Sequence, residues 1–135
     1  MMAEPEDLIE LHRARYRLVE EPALMRVERQ VIGCDYGASS YTTMAQADRL
    51  AGLLRLGPGK TFLDIGCGAG WPAIYMAAST GARPILTDIP WEGLEVASRR
   101  SRRDGVAGAI VCASGVALPF RDMMFHAVTS SDVLC

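Results

Sequence analysis

Residues 61–70, TFLDIGCGAG, constrain this chain more than any other stretch. A short apolar strand runs into a turn with glycine at alternate positions, Gly66, Gly68 and Gly70, and a helical segment, WPAIYMAAST, leaves it. Glycine supports φ > 0, and its missing Cβ lets a ligand lie against the backbone. The helix that follows offers N–H groups with no intrahelical partner. Strand, glycine turn and helix in this order open a nucleotide-binding βαβ unit. The same turn without a ligand would be only a tight connection, and a second acid argues against that. Asp88 lies 24 residues after Asp64, at the end of the next strand in Leu86-Thr87-Asp88. A carboxylate there accepts from both ribose hydroxyls of a nucleoside.

Strands and helices alternate from this point. PILT, AIVCA and HAVTSS read as strands, WEGLEVASRRSRR as a helix and SGVALPFRDMMF as a loop. That alternation predicts an α/β fold with a parallel sheet and right-handed crossovers. The N-terminal part is helical. Residues 6–31 carry Leu8, Leu11, Arg15, Leu18 and Val19 at helical spacing, Pro22 interrupts them, and ALMRVERQVI forms a second short helix that stops at Gly33. CDYGASSYTT reads as a loop, and MAQADRLAGLLRL as a helix that Thr42 or Thr43 can cap, with Ala47, Leu50, Ala51 and Leu54 on one face. The expected organisation is a helical lid or cap over residues 1–35 and a Rossmann-like domain over residues 36–135.

The turn also narrows the ligand. A dinucleotide fingerprint needs G-x-G-x-x-G, and the third position here is Trp71, too bulky for the close helix–strand approach that suits a pyrophosphate. Asp64, just before the turn, would repel a diphosphate and suits a ligand carrying an ammonium group. Composition removes other classes. Lys+Arg 14 against Asp+Glu 16 gives a net charge of -2, without the basic excess of a polyanion binder, so no nucleic-acid partner is expected. No stretch approaches the roughly 20 apolar residues of a membrane helix, and the acidic start MMAEPEDLIE is unlike a secretory signal. Cys34, Cys67, Cys112 and Cys135 form no C-x-x-C pair, which excludes the usual zinc and disulfide frameworks and predicts reduced thiols, a cytoplasmic location and no metal site.

On these residues the chain resembles the class I S-adenosylmethionine-dependent methyltransferases, in particular the small-molecule enzymes of the methyltransferase-domain type. LDIGCGAG is similar to that family's first motif, TDIP to its second, VCASGVALPF to its third and FHAVTSSDVLC to its fourth. The resemblance implies S-adenosyl-L-methionine as cofactor, with S-adenosyl-L-homocysteine as product. It implies that Asp64 and the turn of Gly66, Gly68 and Gly70 hold the methionine part, that Asp88 takes the ribose, and that Ile89 lies against the adenine. Ser114 stands where the family usually has an Asp that accepts from the adenine amino group. Tyr41 and Thr42 fall where contacts to the methionine carboxylate are often placed, and Cys67, Gly115 and Ser131 complete the implied cofactor-binding set. The family's sheet has seven strands and four are counted here, so the chain reads as a Rossmann-like sheet cut after the fourth strand. Self-association through that exposed strand edge is then expected.

The remaining polar residues have plainer readings. Trp71 is expected to pack at the helix start, His126 to sit in a surface turn and His12 on an exposed helix face. Arg99, Arg100, Arg102 and Arg103 are read as a solvated run that complements a helix C-terminus. No catalytic base is identified, and none is required when the cofactor carries the reactive centre. The chain lacks the Asn/Asp-Pro-Pro-Tyr run after the fourth strand, which favours a small-molecule methyl acceptor. The alternative is a non-catalytic nucleoside-binding or assembly module. A nicotinamide-dependent dehydrogenase is opposed by Trp71, by Asp64 and by Lys60 being the only lysine.

Overall fold

The computed structural model describes residues 5–38 and 40–133. Nine elements follow in order: α1 (Pro5–Leu18), α2 (Pro22–Val31), α3 (Met44–Leu53), β1 (Thr61–Ile65), α4 (Ala73–Thr80), β2 (Arg83–Asp88), α5 (Trp91–Arg103), β3 (Ala109–Cys112) and β4 (Ala127–Thr129). The strands form one parallel sheet in the order β3-β2-β1-β4. Leu63 pairs with Ile85 on one side and with Val128 on the other, so β1 is central. The order reverses at β1, where the chain crosses from the β3 side to β4, and such a switch point leaves a crevice beyond the carboxyl ends of the strands.

Each element has a local cause. β1 is buried through Phe62, Leu63 and Asp64 in succession, as expected of a strand covered on both faces. Thr43 caps α3: its hydroxyl accepts from the Gln46 N–H, and the Gln46 side chain accepts from the Thr43 N–H, a reciprocal capping box. α4 ends on Gly81 in the left-handed region, φ 76°, where glycine carries no Cβ penalty. α4 and α5 pack on β2 and on each other, and their buried faces supply Ile74, Met76, Leu94 and Ala97 to a core shared with Phe62 and Leu86.

The leucine face of α1 is not its buried face: Leu8, Leu11 and Leu18 are 46%, 55% and 50% exposed. α1 docks on α5 by a neighbouring flank instead, through Tyr16 and the residue that follows the helix, Val19, which pack with Ala69 and Val96. Ion pairs of Arg13 and Arg17 with Glu92, at 3.5 and 3.6 Å, flank that contact. Among the described residues no helix is long and apolar enough to cross a membrane. Cys34, Cys67 and Cys112 are free thiols, and Cys135 lies outside the described residues.

Candidate cofactor site

The crevice is built at the ends of β1 and β2. The turn that leaves β1 is internally satisfied: the N–H groups of Gly66 and Cys67 both donate to the Thr87 carbonyl, at 2.8 and 2.9 Å, and Gly70 N–H donates to the Cys67 carbonyl at 2.8 Å. Gly68 N–H donates to Asp88 Oδ2 at 2.7 Å. These four donors are therefore spent.

Asp88 is held from two sides, since Ile89 N–H donates to its Oδ1 at 2.7 Å. Burial raises its pKa against the lowering influence of those two N–H groups. Asp64 is only 2% exposed, and the Thr129 hydroxyl on β4 donates to its Oδ1 at 2.6 Å. The same hydroxyl lies 3.3 Å from the Leu63 carbonyl. Burial pushes the pKa of Asp64 up to about 7 against the lowering influence of the Thr129 hydroxyl, and the nearby charge of Asp88 adds to the rise. Among the described residues no cationic side chain pairs with it. A buried carboxylate in this condition gains from a ligand ammonium.

The other residues singled out by sequence divide into two groups. Ile89 and Ser114 lie together at the ends of β2 and β3: Ala113 N–H donates to the Asp88 carbonyl at 3.0 Å, and Cys112 Sγ is 3.4 Å from the Ile89 carbonyl. Gly115 faces Ile65, which a Cβ at position 115 would meet at 3.0 Å. Tyr41, Thr42 and Ser131 share a second cleft of about 410 Å³ with Gln46, Arg49 and Asp132. Cys67 belongs to the core, with its thiol held protonated by burial, so only its backbone is available to a ligand. Trp71 packs between Tyr36 and Tyr75 and its indole N–H donates to the Thr42 carbonyl at 2.8 Å, which fixes the loop before α3. His126 Nδ1 accepts from Thr61 N–H at 3.1 Å in a surface turn.

Three residues were missed. Asp132 Oδ2 accepts from the Ser40 hydroxyl, from Tyr41 N–H at 3.1 Å and from the Thr42 hydroxyl at 3.4 Å, so it ties the loop before α3 to the end of β4. Tyr16 reaches the glycine turn from α1: a Cβ on Gly68 would lie 2.8 Å from its hydroxyl oxygen. Arg100 corrects the reading of a solvated arginine run. It is 2% exposed, donates from one Nη to the carbonyls of Gly37 at 2.9 Å and Ala69 at 3.1 Å, and lies 4.8 Å above the Tyr36 ring centroid. Leu94, Ala97 and Arg100 recur every three residues on the buried face of α5, a spacing that marked Arg100 apart from its neighbours.

The family described as "Methyltransferase domain" matches residues 62–135, more than half of the chain. The chain belongs to the class I S-adenosylmethionine-dependent methyltransferases. It is 33% identical over 105 residues to squalene methyltransferase 1 of Botryococcus braunii, which covers 76% of this chain and 27% of that protein. It is 36% identical over 94 residues to 27-O-demethylrifamycin SV methyltransferase of Amycolatopsis mediterranei (strain S699), covering 68% and 35%. Among solved structures, geranyl diphosphate methyltransferase in complex with GPP and sinefungin superposes with a TM-score of 0.58 at 26% identity, over 64% of this chain and 33% of that one. The chain thus spans about a quarter to a third of the length of such relatives.

Proposed function

We propose that this methyltransferase domain binds S-adenosyl-L-methionine in the crevice between β1 and β2 and belongs to an enzyme that methylates a small molecule. The observation that carries the reading is the pair of acids at the strand ends: Asp88 aimed by two N–H donors, and Asp64 buried beside it with no cation. Asp88 receives the ribose hydroxyls and Asp64 the ammonium of the methionine part. Ile89 and Ser114 border the adenine, and the cleft of Tyr41, Thr42 and Ser131 receives the carboxylate end. The main-chain atoms of Gly66, Cys67, Gly68, Gly70 and Gly115 supply the close backbone surface. Fitting this chemistry, the bound cofactor supplies an electrophilic methyl group on a sulfonium. The chain's own work is to orient the two partners and keep water out, and alignment alone is worth on the order of 7–11 kcal/mol at best.

An apolar acceptor is favoured. Tyr41 lines both the cleft beside Asp132 and a groove of about 380 Å³ between α1 and α2, which is walled by Leu18, Val19, Leu24, Val27 and Val31. Squalene, named for one relative, is wholly apolar, and geranyl diphosphate, named for another, carries an apolar chain on a charged diphosphate.

Calorimetric titration with S-adenosyl-L-homocysteine tests the cofactor assignment. Asp88→Ala should weaken binding by about 1.5–3 kcal/mol, since two hydroxyls lose a charged acceptor. Asp88→Asn should cost less. An unchanged dissociation constant in the Ala variant removes Asp88 from the ribose. Methyl transfer is measured with labelled S-adenosyl-L-methionine on the full-length protein. Binding without transfer to any apolar acceptor would favour the nucleoside-binding module instead.

A further inference from the structure

We propose that Asp132 is a positioning residue: its carboxylate fastens the stretch Ser40–Thr42 to the end of β4 and so sets the cleft that takes the methionine end of the cofactor. This rests on the assignment of that cleft to the methionine end and names the group that shapes it.

The other ties to this stretch lie at its margins. Upstream, the Glu28 carboxylate accepts from the N–H groups of Gly37 at 2.6 Å and Ala38 at 2.9 Å. Downstream, the Trp71 indole holds the Thr42 carbonyl, and the capping box fixes Thr43. Tyr41, in between, is 78% exposed, so burial of its side chain does not fix its backbone. Here the polar groups of three successive residues turn to a single oxygen. Asp132 Oδ2 accepts from the Ser40 hydroxyl, from Tyr41 N–H and, at longer range, from the Thr42 hydroxyl. The Ser40 oxygen in turn accepts from Thr42 N–H at 3.1 Å, so the serine relays the pull of the carboxylate to the next residue. Donors to an ionised oxygen are held more firmly than donors to a neutral one.

Asp132 is itself set from the scaffold side. Its φ is +57°, in the left-handed region, where a non-glycine residue persists only if its surroundings enforce it. The next residue, Val133, packs on the glycine turn: a Cβ at Gly66 would fall on its side chain. The kink at Asp132 thus lays Val133 on the turn and the carboxylate on the loop. The charges of the cleft fit an anionic ligand group. The Asp132 charge is shared among its donors, and Arg49 is the cation among the lining residues. With the Asp132 tie cut, the loop samples other conformations, and apparent affinity falls by the fraction of time it is in place. That loss falls only on ligands that reach the cleft.

Calorimetric titration on the full-length protein compares S-adenosyl-L-homocysteine with 5′-methylthioadenosine, which keeps the adenosine and the sulfur and lacks the amino and carboxylate groups. Asp132→Ala should weaken the first on the order of tenfold, as for a loop in place about a tenth of the time, and leave the second within about twofold. Asp132→Asn keeps an acceptor oxygen and should recover part of the loss. Ser40→Ala should weaken S-adenosyl-L-homocysteine in the wild-type background and add nothing to Asp132→Ala. In the free proteins the Tyr41 amide should exchange faster in Asp132→Ala than in wild type. Equal losses for both ligands in Asp132→Ala make the residue merely structural and overturn the proposal, as does wild-type affinity for both. Losses that add in the double variant, or an unchanged Tyr41 exchange rate, overturn it as well. In each of these cases Asp88→Ala, which should weaken both ligands, still reports on the cofactor reading by itself. Wild type that binds the two ligands equally overturns the assignment of the cleft to the methionine end, and the role of Asp132 with it.

Discussion

The glycine turn and the N-terminal helices meet at one point and are held together by different physics. Around the turn almost everything is buried and paired: the N–H groups of Gly66, Cys67 and Gly68 are spent on Thr87 and Asp88, and α4 and α5 close over β2 with Ile74, Met76, Leu94 and Ala97. On α1 and α2 the long apolar side chains Leu11, Leu24, Val27 and Val31 are exposed, and α1 is fastened by the small cluster of Tyr16 and Val19 with Ala69 and Val96 and by surface ion pairs. Burial of a large apolar side chain is worth about 1.5–3 kcal/mol, whereas an exposed ion pair is worth about 0–1. The half around the glycine turn is therefore the stiff one, and the N-terminal helices are the half with fewer buried apolar contacts.

The largest effect should come from Gly68→Val. A β-branched residue at φ +52° is strained, and its Cβ would collide with Tyr16. Titration should detect no S-adenosyl-L-homocysteine binding while far-ultraviolet circular dichroism remains that of a folded protein. Normal affinity would mean that the stiff half serves only as a connection.

Arg100→Met comes next. It removes the donor to two carbonyls and the cation over Tyr36, and urea unfolding should show a loss of about 2–4 kcal/mol. Arg99→Ala, one residue away and half exposed, should change stability by less than about 0.5 kcal/mol. Equal losses would erase the distinction between buried and surface arginines.

A pH effect should be smaller. Asp64 has its pKa pushed up to about 7, and an ammonium ligand needs it ionised. Affinity for S-adenosyl-L-homocysteine should therefore rise as pH rises toward 7, by up to about tenfold per pH unit, with proton release visible when calorimetry is repeated in buffers of different ionisation heat. The rise should end where the ligand amine loses its own proton, near 8 for an α-amino group. For folding the sign is opposite. The folded protein holds the Asp64 proton more tightly than the unfolded chain, so this group's contribution to stability falls as pH climbs from about 4 through about 7. Asp64→Asn should lose the pH dependence of binding and melt higher than wild type at pH 8.

The smallest effect belongs to the covering helices. Leu11→Gln should alter unfolding stability by no more than about 0.5 kcal/mol, because Leu11 is 55% exposed. A loss of several kcal/mol would show that α1 belongs to the stiff half after all.

Much of the stiff half could be read directly. TFLDI, PILT and AIVCA declare themselves by short apolar runs beside glycine or acidic turns, and α5 occupies the segment WEGLEVASRRSRR that its composition marked. Asp64 and Asp88 were legible because strand ends in a parallel sheet share one edge. Tyr16 and Asp132 were not, since each acts on a residue far away in the chain, and local pattern does not say where a docked helix or the tail of a strand will land. Leu8, Leu11 and Leu18 marked α1 correctly as a helix, but helical spacing identifies an apolar face without telling whether anything packs on it. Arg100 lay between the two cases, with its spacing from Leu94 and Ala97 visible and its charge arguing the other way.

Arg100 also bears on the order in which the molecule is assembled. Its guanidinium closes contacts to residues 31 and 63 positions earlier in the chain, and loops of such length close late and slowly compared with a helix or a hairpin. On a ribosome the turn at Gly66–Gly70 would emerge well before the side chain that pins Ala69, so a nascent chain can hold β1 and α4 without yet holding a finished crevice. Competence to bind would then appear only once the last turn of α5 has docked, which makes this arginine a timing element in synthesis as well as a strut in the finished fold.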